Sequence, residues 1–78
     1  MPKCFQVVRR DERNRDVTLL LTSIKNKAVD EITARFQLVN SHKRDRVLVR
    51  NCKESFSVFR PTSTELVLSA KYYIREVN

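Results

Sequence analysis

"LLLTSIKNKAVDEITARFQLVN", residues 19–40, changes its hydrophobic period partway along, and the fold turns on how its second half is read. The first half belongs to VTLLLTS, residues 17–23, whose β-branched and leucine side chains place Val17, Leu19 and Leu21 on one face of a strand. The second half fits two periods. With period two, Ile32, Ala34, Phe36 and Leu38 share a face against Thr33, Arg35 and Gln37. With helical period, Val29, Ile32, Phe36 and Val39 form one stripe. The ends favour a helix over 27–40. Asn26 can serve as N-cap, Asp30 and Glu31 are expected in the first turn where the helix dipole favours acids, and Asn40-Ser41 offers a stop ahead of His42, Lys43 and Arg44. A run of that length also suits a helix better than a typical strand of five or six residues.

Upstream, CFQVVRR (residues 4–10) alternates as a half-buried strand, with Phe5 and Val7 on one side. The polar run DERNRD (11–16) then reads as a hairpin loop. Asn14 is its best candidate for a left-handed conformation, because the chain has no glycine to supply one. Downstream, RVLVRN (46–51) and SFSVF (55–59) read as further strands, the latter ended by Pro61. PTST makes a turn, and ELVLSA (65–70) with YYIREV (72–77) make one strand or two. The predicted order is ββαβββ in a single domain over residues 1–78, too short for a second core. A strand hairpin, a helix and further strands suggest an α+β fold of the ubiquitin-like β-grasp type, a mixed sheet packed on one main helix. The stripe Val29/Ile32/Phe36/Val39 would then cover Phe5, Val7, Leu19, Leu21, Val47, Val49, Phe56 and Val58, leaving Gln6, Thr18, Arg50 and Ser57 on the solvated face. If 27–40 were instead a strand, the alternative is an all-β small sandwich or dimeric sheet.

Composition narrows the function. Sixteen Lys and Arg against nine acids give a net charge of +7, which calls for a negatively charged partner. The absence of glycine excludes Gly-rich phosphate loops. Cys4, Cys52 and His42 are too few to hold a zinc ion, and the cysteines read as small, buried, reduced residues. With one histidine and no catalytic constellation, the chain reads as a non-enzyme without cofactors. No signal peptide or membrane span is recognisable, so a cytoplasmic location is expected.

Several stretches together resemble the Ras-association domain, a ubiquitin-like family that binds GTP-loaded small GTPases of the Ras type. They are CFQVVRRD, LTSIKNKAVDEI, RVLVRN, FRPTSTELVLSA and KYYIREVN, with Thr22-Ser23, Lys27-Ala28, Val29 and Ile32 as the best-matched positions. The resemblance implies that the edge of strand two pairs with the edge of the GTPase sheet while basic side chains meet an acidic surface. Carried onto this sequence, the partner-binding residues would be Arg9, Arg10, Arg13, Arg15, Thr18, Leu20, Lys25 and Lys27. Lys27 stands out on physical grounds, since a cation at a helix N-terminus costs roughly 0.3–1 kcal/mol against the dipole. The chain ends Glu76-Val77-Asn78 without the Gly-Gly tail of a conjugated modifier.

Two further partners fit the residues. The cluster His42-Lys43-Arg44-Arg46 suits nucleic-acid phosphates, and Tyr72, Tyr73, Phe56 or Phe59 could stack on bases if exposed. An exposed strand-two edge could equally pair with a second copy of the chain.

Overall fold

In the computed structural model, which describes residues 3–42 and 45–77, the segment 25–42 is helical. The elements are β1 (Cys4–Asp11), β2 (Asp16–Thr22), α1 (Lys25–His42), β3 (Val47–Cys52), β4 (Ser55–Pro61) and β5 (Leu66–Val77). The protein is thus a small α+β fold with one helix packed on a five-stranded sheet of order β2-β1-β5-β4-β3. The helix rules out the all-β alternative. The two closing segments form one strand of 12 residues.

All four ladders are antiparallel, including β1 with β5, so the sheet is not the mixed one expected of a β-grasp. The cause is parity. The connections 53–54 and 62–65 are too short for crossovers, so β3, β4 and β5 must alternate in direction. One helical return before three alternating strands leaves β5 opposed to β1. The strand β5 is also shared unevenly: Ala70–Tyr73 pair on both sides, Ile74–Val77 pair only with β1, and Leu66–Leu68 pair only with β4. The sheet is therefore staggered, and the molecule is 49 Å along its longest axis.

The helix start differs from the expectation. The Ile24 carbonyl accepts the first helical bonds, from Lys27 N–H at 3.1 Å and Ala28 N–H at 3.4 Å, and Thr22 Oγ1 accepts the Ile24 N–H at 3.1 Å. Asn26 consequently lies inside the first turn rather than at the cap, and that turn holds no acid because Asp30 and Glu31 fall in the second. At the other end the helix runs through Asn40 and Ser41, with Ser41 Oγ donating to the Leu38 carbonyl.

Ala28, Ile32, Phe36 and Val39 line the inner face of α1, one position away from the expected stripe at its start, where Ala28 replaces Val29. They meet Val7, Phe56, Val58 and Tyr72, with Phe5, Leu19, Leu20, Leu48, Ala70 and Ile74 around them. Phe56 is the hub. Tyr72 stacks on its ring at 4.5 Å, and Phe36 meets it edge-on at 5.3 Å.

Three expected core residues face outward. A bulge between the Val7 and Val8 pairings leaves Leu19 without a partner, so Leu19 and Leu20 both turn inward and Leu21 turns out, 61% exposed. In β3 the VLV run is apolar at every position, and pairing of Leu48 with core residue Val58 selects Leu48, leaving Val47 and Val49 outside. Arg50 moves the opposite way. It lies on the helix side, donating to Thr33 Oγ1 at 2.8 Å with its guanidinium 5.5 Å from the Phe36 ring centre. The hairpin turn is as read: Asn14 has φ of 61°, and Asp11 Oδ1 accepts the N–H groups of Arg13 and Arg15, both at 2.9 Å.

Candidate functional site

Strand β2 is an outer edge of the sheet, so one side of its backbone is free to pair. Residues 17–24, VTLLLTSI, which run from β2 to the start of α1, form the longest uncharged run in a chain that is 32% charged. Natural edges are commonly guarded by lysine, proline, an inward charge or a bulge, and of these the run has only the bulge at Leu19. The run was visible in the sequence as a strand; its place on an edge was not.

Cations bracket this edge at both ends. At the hairpin end, Arg13 has no carboxylate within 4 Å among the described residues, while Arg15 lies 3.5 Å from Asp11. Asp11 is held below the usual carboxylate range, chiefly by the Arg15 N–H and then by that of Arg13. At the helix end, Lys25 meets Glu54 of the β3–β4 turn at 2.7 Å, which raises its pKa above the ordinary lysine value. Lys27, one position further on from Asn26, is exposed and has no such partner among the described residues. It stands in a first turn without acids; Asp30 and Glu31 follow one turn on, and Glu31 is paired with Arg35 at 2.9 Å.

The other expected site residues divide between faces. Arg9 projects on the helix side, lining a cleft with Arg46, Asp11 and Val39 beneath the end of α1. Arg10 projects on the open side and is engaged inside the molecule: Nε and Nη2 donate to the two oxygens of Asp16 at 2.8 and 3.1 Å, and Nη2 also reaches Tyr73 Oη at 3.3 Å. Thr18 lies on the same open face and accepts from Gln6 Nε2 at 2.6 Å. Leu20 is partly buried and packs against the core on the helix side. The eight residues thus do not form one patch. Arg13, Lys25 and Lys27 flank the edge, Arg15 is held by Asp11, Thr18 and Arg10 sit on the open face, and Arg9 and Leu20 face the helix.

The open face carries a feature the sequence reading missed. Asp16 joins Arg10, Tyr73 Oη at 3.1 Å and Arg75 at 3.7 Å, while Arg75 donates twice to Gln6 Oε1 at 2.9 and 3.0 Å. This network crosses β2, β1 and β5 and covers Val8, which is fully buried although it points away from the helix. Hydrogen bonds from Arg10 and then Tyr73 hold the Asp16 carboxyl below its ordinary value, and Asp16 raises the Arg10 guanidinium further. Its residues lie up to 69 positions apart in the chain, which is why no local pattern announced it.

Of the basic cluster expected to meet phosphates, Lys43 and Arg44 lie outside the described residues, His42 is exposed and bonded to the Leu38 carbonyl, and Arg46 is paired with Asp45 at 2.8 Å. Phe56 and Tyr72 are core residues and cannot stack on a base. Both cysteines are free. Cys52 is exposed rather than buried, and a hydrogen bond with Ser55 lowers its thiol pKa. No group of three potential metal ligands occurs among the described residues, and no helix is long and apolar enough to cross a membrane. No family model matches the chain, and neither a curated protein nor a solved structure matches it.

Proposed function

We propose that this domain is a non-catalytic interaction module that pairs the free edge of β2 with an extended segment of an acidic partner. One observation carries the reading: the longest uncharged run of a basic chain falls mainly on a sheet edge that has no lysine, proline or inward charge along it, with cations at both ends. Backbone hydrogen bonds along such an edge supply affinity without demanding a particular sequence. The flanking charges supply steering and set which strands are accepted. An antiparallel second copy is disfavoured, because it would bring Arg13 and Arg15 of one copy against Lys25 and Lys27 of the other. A strand with acids at both ends is matched.

A GTP-loaded small GTPase of the Ras type is the partner that the resemblance to Ras-association domains suggests, and it is the specific form of the proposal. This form takes from the β-grasp comparison a helix-backed sheet with an open strand-two edge. It departs from that comparison in the direction of the last strand.

The test is a titration against a panel of small GTPases, each loaded with a GTP analogue or with GDP. Binding confined to the GTP form, and weakened at least tenfold by Lys27→Glu or Leu21→Lys, is the expected result. Indifference to both substitutions would refute the edge, and indifference to the nucleotide would refute the GTPase.

A further inference from the structure

We infer that the open face of the sheet, opposite the helix, binds single-stranded nucleic acid. This surface is separate from the β2 edge and would act whether or not that edge has a protein partner.

Three properties converge on it. The first is charge. Arg10, Lys71 and Arg75 project from neighbouring positions of β1 and β5, where Arg10 pairs with Lys71 across the ladder. The carboxylate among them, Asp16, is occupied in fixing two of the three cations, with Arg10 at 2.8 Å and Arg75 at 3.7 Å. Lys71 has no carboxylate within 4 Å among the described residues, and the nearby Glu54 is neutralised by Lys25 at 2.7 Å. The face keeps a positive excess held in fixed positions.

The second property is stacking surface. Tyr73 and Phe59 are the aromatic residues of this face, and both are half-buried. The Arg10 guanidinium sits 5.5 Å from the Tyr73 ring centre, so arginine and ring together offer planar surfaces of the kind on which bases stack. Phe59 lies between Val47 and Leu68 in adjoining strands, all on the same side, forming an uncharged platform farther along the face. About 16 Å of strand separates the Tyr73 and Leu68 positions along β5, room for intervening nucleotides.

The third property is shape. Beside Ser55 at the start of β4, a cleft of about 310 Å³ opens, lined by Arg10, Lys71, Tyr73, Ser55, Cys52 and Glu54. Its lining brings together two cations, a ring and a hydroxyl, with the charge of Glu54 taken up by Lys25 at 2.7 Å, a combination that suits an unstacked nucleotide. This antiparallel face carries no helix to enter the groove of a duplex, so a single strand is the form it accepts.

Fluorescence anisotropy with labelled 12-mers of oligo(U), oligo(dT) and a duplex tests this, using the whole chain. Either single strand is expected to bind at least about tenfold tighter than the duplex, and to lose roughly tenfold or more between 50 and 200 mM salt. Lys71→Glu, at an exposed position, is expected to weaken single-strand binding at least fivefold, while Lys27→Glu changes it less than twofold. Amide shift changes on adding oligo(U) should map to β1, β4 and β5. Equal affinity for duplex and single strand, equal loss from both charge reversals, or shifts confined to the helix would overturn the inference. Binding by Lys71→Glu that matches the parent would do so as well. None of these outcomes bears on GTPase binding, which Lys27→Glu addresses separately.

Discussion

Asp16 at the start of the edge strand accepts both a 2.8 Å and a 3.1 Å hydrogen bond from Arg10 of the neighbouring strand, and the same carboxylate accepts one from Tyr73 of the strand beyond. Arg10 is thereby held in one position on the open face, where it also ties the sheet edge to its neighbour. The carboxylate is below its unfolded value in the folded chain, so its contribution is complete above about pH 4, the ordinary aspartate range, and fades as pH falls through the depressed folded value. Urea midpoints of the parent should therefore drop on moving from pH 6 to pH 3. Asp16→Asn should start lower at pH 6 and show a smaller further drop.

Lys27 is expected to show opposite effects on stability and binding. Replacing it with glutamate puts an acid in a first turn that has none and should stabilise the fold by about 0.3–1 kcal/mol, read from denaturant midpoints. The same variant should lose binding at the β2 edge. A variant that loses stability instead would mean that Lys27 has an internal role.

Leu21 is 61% exposed on the uncharged edge strand. Leu21→Lys should leave the unfolding midpoint within about 0.5 kcal/mol of the parent, as surface changes commonly do. It should also reduce edge pairing of every kind, including self-association seen by light scattering at high concentration, because lysine is a common guard of natural edges.

Phe56 is the opposite case. It is sandwiched between Tyr72 and Phe36, and Phe56→Ala should cost about 3–5 kcal/mol. Loss of near-ultraviolet tyrosine dichroism at temperatures where the parent stays folded would report the vacated stack.

Asn14 tests the turn. With φ at 61°, Asn14→Ala should destabilise the hairpin by about 1 kcal/mol, whereas Asn14→Gly should be tolerated or mildly stabilising. Equal effects from the two would contradict the left-handed conformation.

Local features were legible in the sequence and relational ones were not. The left-handed Asn14, the helix, the hairpin and most strand limits follow from residue chemistry over a few positions. Leu21 could not be placed, because a bulge at Leu19 reverses the alternation and leaves no mark in the composition. Val47, Leu48 and Val49 are interchangeable by polarity until pairing with β4 chooses among them. Asn26 has the chemistry of a capping residue, yet the Ile24 carbonyl and the Thr22 hydroxyl arrange the helix start, a role that residue type does not reveal. For the candidate site, Lys25 and Lys27 were found by their position at the change of period, while Arg9 and Arg10 could be separated only by knowing that adjacent strand residues face opposite ways. The Asp16 network depends on three strands meeting and had no signature at all.

The shared strand β5 has a consequence for the order of assembly. The hairpin β1–β2 and the meander β3–β4–β5 can each close from nearby residues, yet they share no ladder until β5 reaches β1. Joining them requires contacts such as Arg10 to Tyr73, 63 residues apart, which makes this the closure with the highest entropic cost. Without it the facing edges of β1 and β5 stay unpaired. Those two edges, rather than β2 alone, are where an incompletely assembled chain is open to pairing with the wrong strand.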